Sequence, residues 1–297
     1  MRRALLFLLL LPSCKEEPAH PVQPEPVVAP APAAPPVAKQ NQPKLNRAAY
    51  PWLGSESAEP LEARFAPPAG YTRVALKQES FGYWLRGLPL SPPDTPVRTY
   101  AGSVLHPASD RRIAGVVDID VGQADLQQCA DAVMRLHAEW KWSRGERDAS
   151  YRAAAGLPLP FARYARGERL VPHGAKLSWE PSGKAATDHA AYRKYLDSVF
   201  AWANTVSLEK QAKAVDAVRP GDFFILPGNP GHTVLVVDLA KKGDQMLALL
   251  AQSFMPAQSV HVLRSANGSP WFTLRPGADV VTPFWKPFPW ASLRRLD

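Results

Sequence analysis

The sequence predicts an α+β domain in which a helix bearing a cysteine packs on an antiparallel sheet. Three observations predict it. The stretch RPGDFFILPGNPGHTVLVVDLAKKGDQMLALLAQSFMPAQ, residues 219–258, holds apolar runs at 223–226, 233–239 and 245–252, separated by Asn229-Pro230-Gly231 and Lys242-Gly243-Asp244. Apolar runs joined by such turn residues read as an antiparallel meander, which 259–263 continues. In VGQADLQQCADAVMRLHAEW, residues Leu126, Cys129, Val133, Leu136 and Trp140 recur at helical spacing and place Cys129 near a helix start. Behind Thr187 or Asp188, Tyr192, Tyr195, Leu196, Val199, Phe200 and Ala203 give a second long helix one buried face.

Composition and the N-terminus bound the class. The chain has 297 residues, 46% of them hydrophobic, and a net charge of +8. It opens with Arg2, Arg3 and an apolar run over 4–11, then Leu11-Pro12-Ser13-Cys14. A membrane helix needs roughly 20 residues, so the run reads as the core of a signal peptide. Its last four residues resemble a bacterial lipobox, which implies lipidation of Cys14. Residues 15–45 are dense in proline and read as a spacer. The expected organisation is therefore a lipoprotein signal over 1–14, a linker over 15–45 and one domain over 46–297, with a basic insertion at about 143–187. The expected location is the cell envelope, with the lipid bilayer as the partner of the anchor and peptidoglycan or another envelope polymer as a partner of the domain. No nucleic-acid motif is present, and the positive charge bears on association with anionic polymers or head groups.

Between linker and meander the elements follow in order. Gly70 turns the chain into a strand at 72–76. Ser80 caps a helix carrying Phe81, Trp84, Leu85 and Leu88, which Pro89 ends. Segments 98–105 and 113–121 read as a hairpin, with Asp118 and Asp120 alternating onto one face. Gly122 breaks that strand, and Asp125 is the expected N-cap of the cysteine-bearing helix, which runs to about 142. A shorter helix is expected near 208–215. Trp271, Phe284, Trp285, Phe288 and Trp290 supply an aromatic tail to pack across the sheet.

The chemistry turns on Cys129. If Cys14 carries lipid, Cys129 is the one other cysteine and has no intramolecular partner. On an apolar stripe a free cysteine can be a small buried hydrophobe. At a helix start, unpaired N–H groups and the dipole can instead stabilise a thiolate. A cysteine hydrolase also needs a histidine to hold the proton and a polar residue to orient the ring. His232, opening a strand, and Gln252, on the next strand, supply them. Asp238 lies about 20 Å along the strand from His232 at some 3.3 Å per residue, so Gln252 is the expected orienting residue. Gln128 or a backbone N–H at the helix start is the expected oxyanion donor.

Gly221-Asp222-Phe223-Phe224, followed by Pro230-Gly231-His232-Thr233-Val234-Leu235-Val236-Val237, resembles the core of the NlpC/P60 cell-wall peptidases. That resemblance implies a papain-like fold and attack on a peptide bond of the envelope. The Asp-Cys-Ser-Gly motif of that family is absent around Cys129, and Gln252 stands where a histidine is usual. Over 50–297 the chain also resembles the bacterial domain of unknown function 4846. The residues are Tyr83-Trp84-Leu85-Arg86, Asp118-Ile119-Asp120-Val121-Gly122, Gln127-Gln128-Cys129-Ala130-Asp131 and Gln252-Ser253-Phe254-Met255-Pro256-Ala257-Gln258.

The expected function is a papain-like cysteine peptidase or amidase tethered in the envelope. The alternative is a non-catalytic envelope-binding lipoprotein. The seven histidines do not cluster and no HExxH run occurs, so neither metal nor cofactor is expected.

Overall fold

A computed structural model describes residues 45–54, 58–174 and 176–297. The apolar run, Cys14 and the proline-rich linker lie outside the described residues. The elements that matter for the site are α1 (Phe81–Arg86), β1 (Ile113–Val116), α2 (Cys129–Ser143), α3 (His189–Trp202), α4 (Thr205–Gln211), β2 (Phe223–Leu226), β3 (His232–Lys242), β4 (Gln245–Gln252), β5 (His261–Leu263), β6 (Trp271–Leu274) and β7 (Leu293–Arg295).

An α+β architecture results, organised by one antiparallel sheet. Its path runs from the short strand Lys213–Ala214 through β7, β2, β3, β4 and β5 to β1. The long strands β3 and β4 each take two neighbours along one edge. β4 pairs with β5 at Ala251 and Gln252 and with β6 from Met246 to Leu249, while the far end of β3 pairs with Thr72–Arg73.

Alternation along β3 divides the core. Leu235 and Val237 join the larger apolar cluster with α2 and α3, and Val234 and Val236 join a second cluster with Phe288 and Leu293 of the C-terminal tail. The tail thus covers one face of the sheet and the helices cover the other. A bulge between Val236 and Asp238 interrupts the alternation. It re-aims the buried Asp238 carboxylate to Arg73, at 2.6 Å, and to Arg86 of α1, at 2.7 Å. Arg86 of the Tyr83-Trp84-Leu85-Arg86 motif is therefore spent on holding α1 to the sheet.

Ser80 caps α1 through the Tyr83 N–H, and Asp188 caps α3 through the Ala191 N–H. Gly221 sits at φ 99° in the turn before β2, where an added Cβ would lie 2.9 Å from Phe81 Cδ1. Asp222 accepts the Arg219 N–H and pairs with Arg295 of β7, so the Gly-Asp motif fixes this turn to the C-terminal strand.

Two expectations are corrected. Segments 98–105 and 113–121 do not pair with each other. A turn over Thr99–Ser103 closes Val97–Arg98 onto Val104–His106, and β1 pairs with β5, setting Val116 opposite His261. β1 also ends at Val116, so Asp118 and Asp120 share no strand face. Asp120 instead pairs with the buried Arg135 of α2 and with Arg193 of α3. Second, the N-cap of α2 is Gln128, not Asp125. The Asp125 carboxylate accepts the Ala257 N–H, 2.6 Å away, and Asp131 reaches back to the Gln128 N–H, so the helix begins three residues later than expected.

Segment 143–187 carries two hairpins, Ser150–Arg152 with Pro158–Pro160 and Glu168–His173 with Lys176–Pro181, and the helix Phe161–Ala165. Several of its arginines are held internally: Arg147 stacks on Trp142, Arg169 on Tyr164, and Arg163 and Arg166 pair with Glu168.

Candidate functional site

Cys129 is the first residue of α2, and the start of that helix is wedged into a fork of the sheet. The β3–β4 ladder ends at Leu235 opposite Ala251. Beyond it, the Ser253 hydroxyl lies 2.8 Å from the Gln258 carbonyl and 3.2 Å from the Gln127 carbonyl, sharing its one proton between them, and Cys129 Sγ donates to the Gly231 carbonyl at 3.6 Å. The backbone N–H groups of Ala130, Thr233 and Cys129 also face the sulfur. Backbone N–H and C=O groups of a strand point along the sheet, so the sulfur lies near the sheet plane, beside the backbone of His232.

The thiol is not activated at rest. Burial pushes it up to about 12, with the Asp131 carboxyl adding to the rise and the three N–H groups opposing it. The expected stabilisation of a thiolate by the helix start is present but smaller than the desolvation it has to offset. Asp131 is itself raised well above the usual carboxylate range by burial, and its Oδ1 has no hydrogen-bond partner.

His232 lies on the tail-covered face, fully buried. Its ring is 4.8 Å from Phe254, 5.0 Å from Trp285 and 6.0 Å from Phe288, centroid to centroid. Nε2 sits 2.8 Å from Gln252 Oε1, the contact expected of the orienting residue, whereas Nδ1 is buried and has no partner. Burial lowers this histidine to about 4, so it is neutral near pH 7. No hydrogen bond joins the ring to Cys129.

The polar chain continues past Gln252. Its Nε2 is 3.3 Å from His261 Nε2, and His261 Nδ1 is 2.9 Å from the Ser259 carbonyl. Residue 252 faces residue 261 directly across the β4–β5 pair, which brings the two side chains together.

On the helix side, a cleft of about 300 Å³ meets Cys129, bounded by Gln128, Asp131, Asn204, Thr205 and the 228–231 turn. Thr205 Oγ1 holds this turn through both the N–H and the carbonyl of Gly228, each at 3.3 Å. Gly231 permits the approach: a Cβ there would lie 2.2 Å from Thr205 Oγ1 and 2.7 Å from the Gly228 nitrogen. The sulfur therefore meets the cleft while the ring is enclosed by aromatic side chains.

The structure thus brings Gln252 to His232 and sets the Cys129 sulfur against the residues flanking His232. It does not free the Gln128 side chain for an oxyanion, because its Nε2 donates to Asp125 Oδ1 at 3.0 Å. The backbone N–H of Thr233, by contrast, faces the Cys129 sulfur. Sequence reasoning missed both Thr233 and His261. A backbone donor leaves no mark on residue type, and His261 reads as part of an apolar strand until the β4–β5 register is known. Among the described residues no group of His, Cys, Asp and Glu could hold a metal ion, and no helix is long and apolar enough to cross a membrane.

No curated protein and no solved structure matches the chain. The family described as Domain of unknown function (4846) matches residues 61–295, a span that contains Cys129, His232, Gln252 and His261. With that span taking in most of its length, the chain belongs to the domain of unknown function 4846 family.

Proposed function

We propose that the domain is a cysteine hydrolase of papain-like arrangement that acts on a peptide or amide of the cell envelope. The observation that carries this reading is the His232 ring, oriented through Nε2 by Gln252 with a buried, unpartnered Nδ1, on the residue between the two that contact the Cys129 sulfur. In this reading both groups are neutral at rest. A substrate carbonyl enters from the cleft, the thiol proton leaves its resting acceptor, the Gly231 carbonyl, for His232 Nδ1 as the side chains close and sulfur attacks, and the N–H groups of Thr233 and Ala130, which face the sulfur at rest, receive the developing oxyanion. His232 then returns the proton to the departing amine, and water releases the acyl group from sulfur. Lipidation at Cys14 and the 15–45 spacer would hold the domain off a membrane.

The test is digestion of purified envelope peptides followed by mass spectrometry. Wild type should release products that the Cys129→Ser and His232→Ala variants do not. Equal product from folded variants, or none from wild type across envelope peptides and amides, would overturn the reading.

A second reading, a ligand-binding envelope protein without turnover, is favoured by one observation: the thiol is buried and raised to about 12. In that case the cleft binds its ligand through Asp131 and the 228–231 turn, and Cys129 is a packing residue.

A further inference from the structure

We infer that His261 is a positioning residue, which selects the tautomer of His232 by fixing the orientation of the Gln252 amide between them. The catalytic meaning of this inference rests on His232 acting as the base; the hydrogen-bond logic stands without it.

The Ser259 carbonyl can only accept a hydrogen bond. His261 Nδ1, 2.9 Å away, must therefore carry a proton. A neutral His261 then has its lone pair on Nε2. Burial, which lowers this histidine to about 4, keeps it neutral near pH 7. Gln252 approaches that lone pair at 3.3 Å and must present its NH₂, since its carbonyl oxygen would face a second acceptor. The amide cannot flip without setting oxygen against lone pair on this side. Its Oε1 is thereby directed at His232 Nε2, 2.8 Å away, which must donate. One proton remains for a neutral imidazole, and it is on Nε2. The proton positions follow from the network, and they leave His232 Nδ1 with a lone pair.

This outcome matters because a glutamine alone does not decide it. Its amide has a donor end and an acceptor end of the same shape, and with the donor end toward His232 the proton would reside on Nδ1. A ring in that state has no lone pair at the nitrogen not used by Gln252. A carboxylate in this role would enforce the same tautomer without help, whereas an amide needs a neighbour that accepts. Both polar ends of Gln252 are satisfied within a region where His232, Gln252 and His261 are all buried. Water is thus a poor substitute for the missing partner.

Nitrogen-15 and proton NMR of the histidine rings tests this in the intact protein, with no substrate. In wild type at neutral pH, His232 should show a protonated-type Nε2 and an unprotonated-type Nδ1, and His261 the reverse. His261→Phe keeps a ring against Phe284, whose centroid is 6.1 Å away, but supplies no acceptor. In that variant the two His232 nitrogens should move toward averaged shifts as Gln252 samples both orientations. His261→Gln, whose amide oxygen can accept at the same reach, should restore most of the wild-type pattern. A wild-type His232 protonated on Nδ1, or a His261→Phe spectrum unchanged at His232, overturns the inference. If His261→Phe does not fold, the wild-type spectrum still decides, because a His261 protonated on Nε2 is incompatible with the chain of bonds. Where the protein has turnover, kcat of His261→Phe should fall in proportion to the fraction of His232 that carries its proton on Nδ1, about twofold for an even mixture, well short of the roughly 10⁴-fold loss of a tautomer locked the wrong way. Absence of any turnover would count against the hydrolase reading and leave the spectral result intact.

Discussion

Cys129 Sγ stands 3.6 Å from the carbonyl oxygen of Gly231, so the thiol is held by the residue before His232 and not by the imidazole. That contact explains how a cysteine at a helix start can remain un-ionised. The helix end offers N–H groups, yet the sulfur also meets an acceptor, a raised carboxyl at Asp131 and little water. A thiol with an acceptor at hand keeps its proton until another base receives it.

Gly231 is the position where a minimal change should disturb the site. Gly231→Ala brings a Cβ within 2.2 Å of Thr205 Oγ1 and within 2.7 Å of the Gly228 nitrogen. Rotation of Thr205 can relieve the first contact but nothing relieves the backbone contact, so the turn must shift. We expect a loss of about 1–3 kcal/mol in urea unfolding, the usual cost of overpacking. Gly231→Ala combined with Thr205→Ser should recover little of it. A neutral Gly231→Ala would show that the turn is looser than described.

Asp238 is fully buried between two arginines and also accepts the Leu239 N–H. Asp238→Asn should destabilise the fold by about 3–5 kcal/mol, because it leaves Arg86 and Arg73 without their counter-charge in the interior. Thermal unfolding followed by circular dichroism measures this. Turnover per folded molecule should be little changed, since Asp238 lies along β3 from His232. A neutral effect on stability would contradict the role given to the β3 bulge.

Acid should destabilise the protein in a window set by its histidines. His137, His232 and His261 are each lowered to about 4, by burial first. Their unfolded values lie near 6.5, so the unfolded chain binds protons that the native state refuses. The stability they contribute is complete above about pH 6.5 and is lost as pH falls toward 4, on the order of several kcal/mol in total. Asp120, lowered to about 2 by Arg135 and Arg193 against the opposing effect of burial, loses its contribution only below the normal carboxylate range. Asp131 and Asp222, raised by burial, take up protons in the native state over the same range and oppose this loss, so the histidine contribution is read from variants: His261→Phe should make the urea midpoint fall less between pH 7 and pH 4 than it does in wild type. An identical pH dependence in wild type and His261→Phe would contradict the burial of this ring.

Much of this arrangement was legible in the residues. The meander showed in its apolar runs and turn residues, and Ser80 and Asp188 cap their helices as their positions imply. Gln252 could be preferred over Asp238 from strand spacing alone, and the two residues do part ways in the structure. What was not legible depends on long-range pairing. The partner of β1 is β5, some 150 residues away, and nothing local distinguishes that from a hairpin with its neighbour. The N-cap of α2 was misplaced because the Asp125 carboxylate is taken by the Ala257 N–H, far along the chain. His261 joined the site only through cross-strand register.

The pH dependence of Cys129 alkylation by iodoacetamide shows whether the His232 ring takes the thiol proton. If His232 Nδ1 receives the thiol proton during attack, the wild-type rate should be level from about pH 5 to 9, above the titration of His232 near 4 and below that of the thiol near 12. His232→Ala should abolish the plateau, leaving a rate that climbs about tenfold per pH unit and is at least about 10²-fold lower at pH 7. The same tenfold climb in wild type and His232→Ala would rule out His232 as the base, because it would mean that the thiol ionises without help from the ring.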